Sequence, residues 1–115
     1  MAQLKLNLGE GSVSFPFTPE AAQNLKQEIG QLMKSLKANA SQASSRGSRP
    51  EKKPDMKYCY TGEVFLEVFC NPNIYPSPFA AKLLLTVRDE KMRLSTEAEL
   101  TRVIEDLNQY LEQVG

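Results

Sequence analysis

Two cysteines, a few adjacent carboxylates and a short basic run are the groups whose types and spacing could do chemistry. Cys59 and Cys70 are the candidate nucleophiles, but a reactive thiolate needs a base or cation beside it, and the chain contains no histidine. The same absence removes serine–histidine schemes, imidazole acid–base work and histidine-ligated metals. The cysteines are eleven positions apart. On one extended strand they would be separated by roughly tens of ångströms and point to opposite faces, so two free thiols are expected. Asp89-Glu90 and Glu105-Asp106 are neighbouring acids in a turn and on the polar face of a helix. Acid–base catalysis needs carboxylates held in a cleft whose environments separate their pKa values, and these read as solvated. Gly9-Glu10-Gly11 lacks the longer glycine pattern and helix entry of a phosphate cradle. The sequence is therefore read as non-enzymatic, with no cofactor or metal site.

Binding chemistry is better represented. From Lys34 to Lys57 there are seven basic residues against two acidic ones, in a chain of zero net charge. Arg46, Arg49, Lys52 and Lys53 form the centre of this run, a contact for an anion or a nucleic acid. Interleaved aromatics or a nucleic-acid-binding motif do not accompany it, which makes a solvated connection the simpler reading. A second group is apolar: Phe65, Phe69 and Leu84 on strands, and Ile74, Tyr75 and Phe79 on the loop NPNIYPSPF. Three prolines between Pro72 and Pro78 exclude helix and stiffen that loop.

The elements that must position these groups follow from periodicity. Leu4, Leu6 and Leu8 alternate with polar residues, as do Val13, Phe15 and Phe17 after a two-residue turn at Gly9-Glu10, pairing Leu6 with Val13 and Leu4 with Phe15. Thr18-Pro19-Glu20 starts a helix with a capping hydroxyl, an N-terminal proline and an acid. Ala22, Leu25, Ile29, Leu32, Met33 and Leu36 form its apolar stripe, which Gly30 interrupts. Residues 39–55 are small, polar, basic and broken by proline, the composition of a flexible linker.

Tyr58–Leu94 holds most of the aromatic and β-branched density and reads as a long strand, the proline-rich loop, and a hairpin turning at Asp89-Glu90. Thr96-Glu97-Ala98-Glu99 reads as a capping box, opening a helix with Leu100, Val103, Ile104, Leu107, Tyr110, Leu111 and Val114 on one face. Each end of the chain is thus a hairpin leading into a threonine-capped helix.

The expected fold is one α+β domain of 115 residues. It has two layers, a five-stranded mainly antiparallel sheet with two amphipathic helices on one face, in the order ββα-linker-βββα. Helices covering Val64, Leu66, Val68, Leu83, Leu85 and Val87 leave Phe65, Phe69 and Leu84 facing away, as an apolar patch of the kind that marks a partner surface. No apolar run approaches the roughly 20 residues that span a bilayer, and the N-terminus lacks a secretory pattern, so a cytoplasmic protein with no membrane contact is expected.

RLSTEAELTRVIEDLNQYLEQV at residues 93–114, together with NPNIYPSPF, resembles small uncharacterised cyanobacterial accessory proteins. That resemblance implies a cytoplasmic accessory role, such as an assembly chaperone for a larger complex. Three functional expectations result. The first is an adaptor or assembly factor that binds a protein partner, and the second a protein that contacts anions or nucleic acid through the basic run. The third is a homodimeric structural protein.

Overall fold

The computed structural model describes residues 2–42 and 53–114. The fold is α+β, with six strands in two sheets rather than one five-stranded sheet. Strands β1 (Gln3–Leu8) and β2 (Gly11–Pro16) form a separate hairpin, with Leu6 opposite Val13 and Leu4 opposite Phe15. Helix α1 (Pro19–Gln42) follows, its first turn capped by Thr18 Oγ1, which accepts the N–H of Ala21 at 3.1 Å. Strands β3 (Met56–Thr61), β4 (Phe65–Cys70), β5 (Lys82–Arg88) and β6 (Arg93–Glu99) make an antiparallel meander, and α2 (Leu100–Val114) closes the chain.

Neither edge of the hairpin pairs with the meander. On the β1 edge the N–H of Asn7 donates to Asp106 Oδ2 at 2.8 Å, a contact from α2. On the β2 edge Pro16 offers no amide. The hairpin joins the helical layer. α2 lies against β1 on one side and α1 on the other, while α1 reaches β3 and β1 reaches β6.

Three further corrections concern the central stretch. The long strand is two strands, because the chain reverses at Gly62, whose N–H donates to Val64 O at 3.0 Å. A Cβ at Gly62 would lie 2.3 Å from the Tyr60 hydroxyl, so the ring fills the space a side chain would take. The β5–β6 turn centres on Glu90-Lys91, two residues of register from the expected one, so Val87 faces Leu94 and Met92 is left in the turn. Asp89 decides this: its carboxylate accepts the N–H groups of Lys91 and Met92, both at 2.8 Å. The third correction is the capping box. Thr96 to Glu99 belong to β6, with Thr96 opposite Leu85 and Ala98 buried opposite Leu83. The ladder reaches the helix start itself, where Leu100 N–H donates to Ala81 O at 3.1 Å. Pairing with β5 takes the amides of Thr96, Ala98 and Leu100, which a local cap does not.

The core lies between the two layers. Leu66, Val68, Leu83, Leu85 and Val87 face Leu4, Leu6, Phe15, Leu25, Leu36, Leu100, Val103 and Leu107, all buried. Phe17 ties the layers together by edge-to-face contacts with Phe15, Tyr60 and Tyr110, at centroid distances of 5.7, 4.7 and 6.2 Å. The Tyr110 hydroxyl donates to Phe17 O and the Tyr58 hydroxyl to Ala21 O. Among the described residues no helix is long and apolar enough to cross a membrane.

Candidate functional site

The outer face of the meander is built of cross-strand rows. One runs Lys57, Phe69, Leu84, Glu97; the next Cys59, Glu67, Thr86, Ser95; the third Thr61, Phe65, Arg88, Arg93. Phe65, Phe69 and Leu84 therefore share this face, but they do not form one patch. The Arg88 guanidinium sits 4.4 Å from the centroid of the Phe65 ring and covers it. Phe69 and Leu84 are directly opposite each other at the other end of the sheet.

At that end the proline-rich loop meets the sheet. Phe69, Leu84, Ile74 and Tyr75 line a shallow, mainly apolar groove of about 190 Å³, with Lys82 and Glu97 at its polar margin. Leu84 is 47% exposed and Ile74 66%. The loop is pinned from two sides. Asn39 of α1 donates through Nδ2 to Pro72 O at 2.7 Å and Tyr75 O at 3.2 Å. Asn73 accepts from Lys53 N–H at 2.7 Å and returns a bond to Lys53 O at 2.8 Å, while Asn71 Oδ1 accepts from Asn73 N–H at 3.0 Å. Asparagines thus satisfy the backbone of the one-turn 3-10 helix Pro72–Ile74 and hold Ile74 outward. Phe79, 87% exposed, lies outside this groove.

Sequence reasoning missed a second apolar groove, of about 190 Å³. It is lined by Val13 and Phe15 of β2 with Val64, Val87, Met92 and Leu94. Its local signal was Met92 and Leu94, apolar side chains beside an otherwise charged β5–β6 turn.

The groups considered for chemistry are dispersed. Both thiols are free, Cys59 exposed and Cys70 buried. Burial, with Asp55 nearby, pushes the Cys70 thiol up to about 11, so it stays protonated near neutrality. Two backbone N–H groups, from Lys91 and then Met92, hold the Asp89 carboxyl below its ordinary range. The expectation that Glu105-Asp106 is solvated fails for Asp106, which is 5% exposed and engaged by Asn7. Among the described residues no cluster of three or more histidine, cysteine, aspartate or glutamate side chains could hold a metal.

The basic run falls mostly outside the described residues. Arg46, Arg49 and Lys52 lie there, whereas Lys53 joins the loop through its backbone. The expected linker is shorter at its start, since α1 continues through Gln42. Comparison with protein-family models, with curated proteins and with solved structures gives no match for this chain.

Proposed function

We propose that this chain is a small non-enzymatic adaptor or assembly factor whose protein partner docks at the Phe69–Leu84 end of the open sheet face. The observation that carries this reading is the convergence of Phe69, Leu84, Ile74 and Tyr75 on one groove. A strand pair and a loop held by Asn39 and Asn73 present these side chains in fixed positions. Ordering them costs little on binding, and apolar anchors with polar neighbours are the usual centre of a protein interface. Phe65 is not an anchor, because Arg88 occupies its ring face.

The test is co-purification from native extract with wild type, Leu84→Glu and Ile74→Glu, all verified as folded by circular dichroism. A partner retained by wild type and lost by both variants supports the groove. A partner retained by both removes it.

A further inference from the structure

We infer that a second copy of this chain pairs with the outer edge of β6, antiparallel and centred on Thr96, joining two four-stranded sheets into one of eight. This edge borders the groove at Glu97, which lies on the groove's polar margin, but the pairing does not depend on the groove.

β6 is the terminal strand of its sheet. Its inward-bonding positions are set by the bonds at either end of the ladder, Asp89 N–H to Met92 O and Leu100 N–H to Ala81 O. Antiparallel pairs alternate, so Leu94, Thr96 and Ala98 bond to β5, and the amides of Arg93, Ser95, Glu97 and Glu99 point away from the sheet. No described residue accepts from Ser95 or Glu97 N–H across this edge. Both edge strands meet the helical layer, β3 at α1 and β6 at β1 and α2, and neither β1 nor α2 pairs with the outward amides of β6.

The charges on β6 choose the partner. Arg93 stands directly opposite Arg88, a like-charge pair, and has no carboxylate within ion-pair distance among the described residues. Glu97 and Glu99 occupy the other end of the strand. An edge with a cation at one end and anions at the other complements itself when reversed. Pairing about Thr96 puts Arg93 opposite Glu99 of the second copy and diagonal to its Glu97, twice over by symmetry, and uses the full strand. The same register places outward amides opposite outward amides, so Ser95 and Glu97 exchange backbone hydrogen bonds at the centre of the joint.

Sedimentation velocity of the purified full chain over a concentration series tests this. Wild type is expected to dimerise reversibly. Arg93→Glu alone, and Glu97→Arg with Glu99→Arg alone, are each expected to weaken dimerisation by about tenfold or more. An equimolar mixture of those two variants restores association as a heterodimer. In one of its two symmetry-related pairs the introduced acid at position 93 faces the introduced base at position 99. The other pair keeps the native Arg93 and Glu99, so both are again of opposite charge. Ser95→Pro removes an outward amide that the monomer does not use, and is expected to abolish pairing while circular dichroism stays that of a folded chain. A wild type that remains monomeric at high concentration overturns the inference. So does a dimer indifferent to Ser95→Pro, or charge variants that fail to associate when mixed. Ile74→Glu, on the proline-rich loop, separates the two surfaces: it abolishes partner capture at the groove and leaves the β6 dimer intact.

Discussion

Asp106 receives two hydrogen bonds from Asn7, the backbone N–H on Oδ2 and the side-chain Nδ2 on Oδ1, each at 2.8 Å. The carboxylate stands where a neighbouring strand would otherwise supply acceptors to β1. It fastens the hairpin to α2 and ends the sheet there.

Asp106→Ala is therefore expected to destabilise the protein by about 2–3 kcal/mol, the scale of lost charge-assisted bonds with a donor left unpaired. Asp106→Asn recovers only part of this, because the neutral amide gives the Asn7 N–H an acceptor without the charge of the carboxylate. Urea denaturation of the two variants beside wild type measures the order.

Gly30 sits exposed inside α1, and a Cβ there meets nothing within 4 Å. Close packing does not explain this glycine. Gly30→Ala is expected to raise stability by about 0.5–1 kcal/mol through helix propensity alone. An unchanged denaturation midpoint would sink that expectation.

Asn39 is the link between α1 and the proline-rich loop. Asn39→Ala removes the bonds to Pro72 O and Tyr75 O, of which Pro72 O still accepts the Tyr75 N–H, and is expected to cost about 1–2 kcal/mol. Hydrogen exchange should quicken at Ile74 and Tyr75 while β1 and β2 are unaffected. Equal acceleration everywhere would show that the bonds support the whole fold rather than the loop.

Alkaline pH should expose the buried acids. Burial, then Tyr60 and Cys59, pushes the Tyr58 phenol up to about 12, and burial raises Cys70 to about 11. Both hold their protons more tightly folded than unfolded, so their contribution is complete below the unfolded values of about 9 for cysteine and 10 for tyrosine. It is lost as pH rises through the folded values. Denaturation midpoints should accordingly fall from about pH 9 upward. In the same range a thiol reagent should modify Cys59 rapidly and Cys70 only as fast as the fold opens. Two equally fast thiols would contradict the burial of Cys70.

Local patterns were readable wherever neighbouring residues decide the outcome. The Thr18 cap, the Leu6–Val13 register across Gly9-Glu10, and the outward direction of Phe65, Phe69 and Leu84 all follow from periods of a few residues. Asp89 was legible in principle, since an aspartate opening a turn accepts the amides that follow it. Thr96–Glu99 was ambiguous, because a threonine-to-glutamate spacing of three suits a helix start and a strand with inward Thr96 and Ala98 equally well.

What the sequence by itself determined is which side chains face inward along each element, because alternation is a property of the backbone repeat. Which elements pair was decided only in three dimensions. The hairpin is fastened to α2 by a carboxylate 99 positions away, and Phe65 is covered by an arginine from the adjacent strand. The groove exists because Asn39 of α1 holds the proline-rich loop beside Leu84. Each is a hydrogen bond or contact between distant residues, and no local period encodes the partner that satisfies a backbone amide.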